Sequence, residues 1–583
     1  MLSLVKDSPD RRARRKCHFS RLKSGIMTYI RTELGDQYVS PARSDKAITD
    51  VARRVTKISP LVLIDVKNGH LCHGHDRIRI FKSELPFKAL VSSMSEALDD
   101  KRIQQVVEEY FRYVTLSHVW DGQDEPSFQA VKSAESVRNL ASSPQNDKLR
   151  RFCEVVSGDG YRWAWSDTCC IDKMINAVLN QSLIMMYKWY EASAATFAHL
   201  ADVDSLSSLG SLKDSNWMRR AWTGQELLAP KVIRFYDRGW KPYLGDTRPN
   251  HKESPEIMQE LADAIGIARE TIISFNPGDL TVREKLRLAS GRNATLEEDV
   301  AYSLIGIFKS DIMPRYGEGD AALGHLLEEI VARWGEVTVL AWTGKSSSYN
   351  SCLPTTLNVY SQTPRTSLAI EGAEMDERLA ALRTSVSKAE ATRIYAQVTR
   401  LPQAGFASRR LHLPCIIFAV QELTVRDFGH GHENHYRARV SGIGVMKFQT
   451  SDRLSLTEPR RLILVHPWIR ELSGPVHHDG FTWGHTTDDH EHKPYPEARA
   501  EADSIMSPWP SPLPVPLATT MDDYTRALQL IVRLQQPFPA LMLQRQLNGE
   551  FKRVAAEHEI TVPGIERSIN LTRDLCVAVV DIL

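Results

Sequence analysis

The stretch WMRRAWTGQE sets Trp222 and Glu226 four residues apart, with Arg219 and Arg220 close before them. On a helix, residues four apart share a face. A packing helix has no need of a carboxylate beside an indole, whereas a site for a charged, aromatic ligand does. Gly224 lies between the two. A glycine inside a helix costs about 1 kcal/mol relative to alanine. Its missing side chain admits a close approach by backbone or ligand.

Other residues could also do chemistry. Cys169 and Cys170 end one apolar stretch and His118 ends another. A cysteine near a histidine is a candidate nucleophile, and a buried cysteine equally serves as a small apolar filler. His70, Cys72, His73, His75 and Asp76 crowd into HLCHGHD. A structural zinc site needs a second ligand pair, which is missing, so this segment reads as a turn between two strands and no metal is expected. Neither GxGxxG nor a Walker-type loop precedes any predicted helix, so neither phosphate cradle is supported.

Composition narrows the classes. The chain has 583 residues, with 73 basic against 72 acidic side chains and a net charge of +1. That balance argues against nucleic acid as a partner. The eight cysteines are scattered without a CxxC pair, which fits a reduced, cytoplasmic protein. No apolar run is long enough for a signal peptide or a membrane span. The basic cluster Arg11–Lys16 reads as a solvated tail.

The elements that must position these residues follow from periodicity. Strands are predicted at 60–66, 77–83, 113–120, 161–172, 194–203 and 231–237. Helices are predicted at 45–56 and 94–110. Leu179, Leu183, Met186 and Tyr190 mark an amphipathic helix between the fourth and fifth strands. Strands alternating with helices imply a parallel sheet, with ligands beyond its carboxyl edge. Residues 250–345 read as helical, with Thr295 and Glu298 at capping-box spacing. Three later runs read as antiparallel strands, and helices are expected near 521–537 and 548–558. The predicted divisions are a basic segment (1–58), lead-in strands and helix (59–110), an α/β core (111–246) and a helical part (247–350). A β-rich region (351–476), a Pro- and His-rich linker (477–516) and C-terminal helices (517–583) complete the chain.

The motifs YVTLSHVW, YRWAWSDTCCIDK, MMYKWYEASAATFAHLADV, SNWMRRAWTGQELLAPKVIRFYD, TLEEDVAYSLIGIF, PRYGEGDAALGHLLEEI and SSSYNSCLP occur in that order. With them the segment from about 60 to 355 resembles the fungal heterokaryon-incompatibility (HET) domain proteins of basidiomycete type. That family usually reads Arg-Gly-Trp-Thr-Leu/Val-Gln-Glu where this chain has Arg-Ala-Trp-Thr-Gly-Gln-Glu at 220–226. HET domains look like distant relatives of Toll/interleukin-1-receptor (TIR) domains, many of which cleave NAD+ at the nicotinamide–ribose bond. The resemblance implies a TIR/flavodoxin-like parallel-sheet core, an appended helical region and a C-terminal α+β region. It implies a role in nonself recognition and programmed cell death. Trp222 and Glu226 match the TIR W-x-x-x-E spacing, which implies Glu226 as the catalytic carboxylate. Ser117, His118, Trp120, Asp167, Asp172, Lys173, Arg219, Arg220 and Trp222 are the implied substrate-binding residues. NAD+ is then the substrate, without a cofactor, and self-association or an incompatibility partner is expected. A non-catalytic HET scaffold is the alternative. If NAD+ binds, Trp120, Asp167 and Glu226 should line one cleft, with Glu226 partly exposed.

Overall fold

Short apolar runs bounded by polar turns become strands in the first half of the chain. The structure, a computed structural model, describes residues 39–94, 97–120, 122, 124–204, 208–362, 370, 372–428, 434–468, 523–565 and 576–583. The basic cluster at 11–16 and the linker at 477–516 lie outside the described residues.

Six strands form one sheet: β1 (Val62–Asp65), β2 (His70–His73), β3 (Tyr113–His118), β4 (Trp163–Trp165), β5 (Ala195–His199) and β6 (Ile233–Tyr236). Their spatial order is β2-β1-β4-β3-β5-β6. β4, β3, β5 and β6 run parallel, and β1 pairs antiparallel with both β2 and β4. Counted in chain order, the parallel strands therefore stand 2-1-3-4. The crossovers change side between β3 and β5, and such switch points are where open α/β sheets bind ligands. Every residue of β3 and β5 is buried, as befits parallel strands covered on both faces. The Thr115 and Thr196 hydroxyls, opposed across these strands, bond each other at 2.7 Å. The helix Asn176–Glu191 carries the chain from β4 to β5 and buries Leu183, Met186 and Tyr190. Beside the sheet, the helices Pro41–Ile58, Leu85–Ser93 and Asp100–Phe111 share an apolar cluster that includes Ile48, Leu90, Ile103 and Phe111.

Three expectations are corrected. Residues 77–83 belong to a helix, Gly74–Ser83, not a strand. Arg77 and Phe81, one turn apart, are both buried, and Arg77 Nη1 and Nη2 donate to Ser59 Oγ at 3.0 Å and Pro60 O at 2.8 Å. The spacing at Thr295 and Glu298 is not a capping box. Glu298 instead accepts from Gly317 N and Gly319 N at 2.8 and 3.1 Å, and the helical stretch breaks into Asp299–Tyr302 and Ile305–Phe308. The capping box sits at Thr281 and Glu284, at the start of helix Val282–Ser290. Residues 548–558 are not helical: Gly549 has φ +90° and turns the chain back into a strand.

That strand belongs to a second, mostly antiparallel sheet. It contains β7 (Gly405–Ala407), β8 (Arg410–Phe428), β9 (Asn434–Val440), β10 (Gly444–Thr450) and β11 (Leu462–Pro467). It continues with β12 (Phe538–Arg545), β13 (Phe551–Val554), β14 (Ile560–Val562) and β15 (Cys576–Ile582). β8 pairs with both β11 and β15, so β8-β11-β12-β13-β15 close on themselves. Helices Lys388–Thr399 and Asp523–Leu534 share its apolar core, which includes Val398, Ile416, Leu464, Ile531 and Met542.

The described residues divide into two units. One comprises those of Met1–Asn276 with Arg292–Ala294 and Ser303–Lys309; the other comprises Pro277–Gly291, Thr295–Tyr302 and Ser310–Leu583. Among the described residues, no helix is long and apolar enough to cross a membrane.

Candidate active site at the carboxyl edge of the parallel sheet

The WMRRAWTGQE stretch is not one helix. A turn, Asn216–Arg219, ends at Arg220, which is extended at φ −77°, ψ 138°. The chain then enters the short helix Thr223–Leu228 with Trp222 at its N-cap. Trp222 and Glu226 still span one turn, since Glu226 N donates to Trp222 O at 3.4 Å. The two arginines fall before the break.

Glu226 faces the carboxyl end of β3. Ser117 Oγ donates to Glu226 Oε2 at 2.5 Å, and Trp217 Nε1 donates to Ser117 Oγ at 2.7 Å. Glu226 is only 6% exposed, Ser117 and Trp217 not at all. The expectation of a partly exposed carboxylate is therefore corrected. Burial pushes Glu226 up to about 8, and the charge of Asp167 adds to the rise. Ser117, Arg220 and Tyr190 oppose it without cancelling it. The carboxyl is thus largely protonated at neutral pH. The Tyr190 hydroxyl, also pushed up by burial and by Glu226, donates to Leu116 O at 3.0 Å.

Asp167 has the opposite electrostatics. Burial would raise it, but the close approach of His118, the charge of Lys173 and the Trp120 indole together hold it below the usual carboxylate range. Trp120 Nε1 donates to Asp167 Oδ2 at 2.9 Å, and Lys173 Nζ lies 3.6 Å from the Trp120 ring centroid. His118 Nε2 is 3.4 Å from Asp167 Oδ1, and its Nδ1 is 3.8 Å from Glu125 Oε1. Glu125 is held in turn by Lys148. Two carboxyl groups whose surroundings drive their titrations apart are the usual arrangement of an acid–base site.

The structure thus groups Ser117, His118, Trp120, Asp167, Lys173 and Glu226. Asp172 stands aside and accepts from Gln129 Nε2 at 3.0 Å. Arg219 is exposed, and Arg220 and Trp222 are half-buried. Arg219 O accepts from Asn293 N at 2.6 Å. Ser117 serves Glu226 and Trp217 from a fully buried position. Cys169 and Cys170 are buried, and Cys169 is raised far above the ordinary thiol range by its bond to Cys170 and by burial. That is the reverse of an activated nucleophile. Among the described residues, no group of three or more His, Cys, Asp or Glu side chains is placed to hold a metal ion.

Sequence reasoning missed Trp217, Glu125, Lys148 and Arg292. Trp217 opens the very stretch that drew attention to Glu226. Arg292 comes from a distant segment: its Nη1 donates to Arg220 O at 3.0 Å and Thr223 Oγ1 at 2.9 Å, and no local spacing announces it.

The geometry describes an α/β unit with Glu226 bonded to Ser117 at the carboxyl end of β3 and Asp167 just beyond the end of β4. Residues 113–211 match the family described as Heterokaryon incompatibility protein (HET), a span that holds β3, β4 and β5 and ends before Glu226. The chain is also 34% identical over 228 residues to the Vegetative incompatibility protein HET-E-1 of Podospora anserina. The matched stretch is 37% of this chain and 16% of that relative. Residues 113–211 thus resemble a HET domain, and the chain spans only a small part of the length of the relative it matches. No solved structure matches the chain.

Proposed function

We propose that this protein acts in heterokaryon incompatibility and that its α/β unit is a TIR-like NAD+ glycohydrolase in which Glu226 is the catalytic residue. The observation that carries the reading is the Glu226–Ser117 bond at the switch point, beside an ionised Asp167. The 2-1-3-4 strand order agrees with a flavodoxin-like core. The HET match over β3 to β5 supports the incompatibility role.

The chemistry follows from the charges. The nicotinamide ring of NAD+ is cationic, and a cation beside a carboxyl group favours its ionised form. Binding therefore releases the Glu226 proton to solvent water. The C–N bond to ribose then breaks, its electron pair passes to the ring nitrogen, and nicotinamide leaves neutral. The new carboxylate stabilises the oxocarbenium-like ribose, as in glycoside hydrolysis. Water adds to the anomeric carbon and passes a proton to the Glu226 carboxylate, leaving ADP-ribose and the carboxyl group as it began. The Trp120 indole, held by Asp167 and Lys173, offers a stacking face for a ring.

Nicotinamide release from NAD+ by the purified protein, over a protein concentration series that allows self-association, is the test. Glu226→Gln is expected to lower turnover by about 10²–10³-fold. For the wild type, kcat/KM is expected to rise with pH until Glu226 is ionised, levelling off above about 8. Unchanged turnover in the variant removes Glu226 from the mechanism. The burial of Glu226 favours a second reading, a non-catalytic HET scaffold signalling by self-association in the cytoplasm. It predicts cell death on expression that survives Glu226→Gln without loss of NAD+.

A further inference from the structure

Lys173 and Trp120 come from different stretches of the chain, the first beyond β4 and the second beyond β3. Lys173 Nζ nevertheless stands 3.6 Å from the centroid of the Trp120 ring, the closest approach of a cation to a ring among the described residues. The same indole gives its Nε1 proton to Asp167 Oδ2 at 2.9 Å. Hydrogen bonds polarise the groups they join, so an indole whose N–H is drawn toward a carboxylate carries more electron density on its face. The carboxylate thus makes that face a better seat for a cation. Ser117, which bonds Glu226, and Trp120 both stand at the carboxyl end of β3.

The turn that carries Lys173 is fastened by its neighbour. Asp172 Oδ2 accepts from Gln129 Nε2 at 3.0 Å, Asp172 Oδ1 from Met174 N at 3.1 Å and Asp172 O from Ile175 N at 3.2 Å. None of these bonds uses the Lys173 side chain, so the ammonium can leave the ring without opening the turn. Lys173 is itself exposed. An ammonium is a compact, strongly hydrated charge on a flexible stem, and it regains water on leaving. A flat cation with delocalised charge is less hydrated and adds ring-to-ring contact, so it gains more from the same face.

We propose that the indole face of Trp120 is a subsite for a cationic aromatic ring, the N-substituted pyridinium of an oxidised nicotinamide, and that Lys173 is the resident competitor which that ring displaces. This rests on the reading of NAD+ as the substrate. Trp120 and Lys173 then determine specificity. A neutral ring of the same shape has no charge to exchange for the ammonium, so the subsite selects oxidised over reduced nicotinamide. Because the ring must first free the face of Lys173, the exchange weakens its binding by the strength of that contact, about two- to five-fold for an exposed cation–π pair.

The test titrates the full chain, by ligand-observed NMR, with two probes that share a ring and differ in charge: cationic 1-methylnicotinamide and neutral nicotinamide. Wild type is expected to bind the cation about five-fold more tightly or better. Trp120→Leu should bring the two probes to within about two-fold. Lys173→Met keeps the stem and removes the charge, and should tighten the cation by about two- to five-fold, whereas Lys173→Arg should not. The gain from Lys173→Met must vanish in the Trp120→Leu background, because removing a competitor matters only where there is a face to compete for. A gain that persists there would be a charge effect on Asp167 and would overturn the proposal. So would equal binding of both probes by wild type, a cation preference that survives Trp120→Leu, an unchanged affinity in Lys173→Met, or no binding of the cation at all. If Trp120→Leu fails to fold, Trp120→Phe takes its place. Its face is weaker and has no N–H for Asp167, so the preference must fall, and an unchanged preference overturns the proposal. Nicotinamide release from NAD+ is measured in parallel. A cation preference that depends on Trp120 in a protein that releases no nicotinamide would sink the glycohydrolase reading and leave the subsite standing. Release that depends on Glu226, with probes indifferent to Trp120, would do the reverse.

Discussion

Two buried ionisable groups, one in each unit, live under different rules. Arg553 in β13 donates to Leu340 O at 3.2 Å and to Trp342 O at 2.7 Å, and its guanidinium carbon lies 4.1 Å from the Trp342 ring. Its contacts are backbone carbonyls and a ring face, none of which titrates, and the ionisable groups that act on it, Cys352, Tyr360 and Glu557, all favour its charge. It is a fastening: a cation whose surroundings are built for one protonation state. Glu226 has a hydroxyl partner, a competing carboxylate in Asp167 and the cations Arg220 and Arg292. Its neighbours disagree about its charge, so a small change in surroundings can reset it. Burial of a charge therefore does not mark a site. Opposed, titratable neighbours do.

The comparison is broken most forcefully at Arg553. Arg553→Met keeps the volume but strands two buried carbonyls, each worth about 1–3 kcal/mol when unsatisfied. The expected loss is about 3–5 kcal/mol in the unfolding of this unit, the same at pH 6 and pH 8. Chemical denaturation at the two pH values checks it. A strongly pH-dependent loss would mean that Arg553 has a titrating partner and is not a pure fastening.

Glu226 should behave in the opposite way. Its folded pKa of about 8 lies above the ordinary 4.5, so between these values the folded state holds a proton that the unfolded state has lost. Stability contributed by the protonated carboxyl is complete below about 4.5 and is lost as pH rises through 8. Glu226→Gln removes that loss. The variant is expected to be near neutral at pH 5 and stabilised by about 2–3 kcal/mol at pH 8, given about 1.4 kcal/mol per pH unit and partial relaxation. Pulse proteolysis across this range reads the difference. A difference from wild type that is the same at both ends would mean that Glu226 ionises freely in the fold.

The same contrast explains what the sequence makes legible. The strands of the parallel sheet and the helix Asn176–Glu191 are readable because burial on both faces leaves continuous apolar runs and a 3.6-residue stripe. The placement of Asp167 just beyond a strand and of Glu226 one helical turn after Trp222 is readable from local spacing. The strap at Arg292–Ala294 is not, because its bonds to Arg219, Arg220, Ala221 and Thr223 are set by tertiary packing with no local pattern. The misplaced capping box teaches something similar. Thr281 and Thr295 both begin a T-x-x-E, but Glu298 is taken by the amides of Gly317 and Gly319, leaving only Thr281 to cap. Alternating Arg and Ile at 77–80 mimics a strand, although Arg77 is buried together with Phe81 on a helix.

The smallest effect belongs to a turn whose signal was in plain view. Asn548-Gly549 joins β12 to β13, and an Asn-Gly pair is a strong hairpin signal. Gln546 N donates to Glu550 O at 2.7 Å and closes the loop, with Gly549 at φ +90°. No neighbouring atom lies within 4 Å of a Cβ built on Gly549, so an alanine there meets no clash. The whole cost of Gly549→Ala is then backbone strain in a region that L-residues avoid. About 1 kcal/mol is expected, visible as a small drop in the thermal transition of this unit and independent of pH. Asn548→Ala should cost less, since it gives up only the bond from Glu550 N to Asn548 Oδ1 at 3.1 Å. If Gly549→Ala were neutral, the turn would have to relax to negative φ. If its cost grew with pH, the line drawn between a titrating site and a non-titrating fastening would fail in the unit where it should hold best.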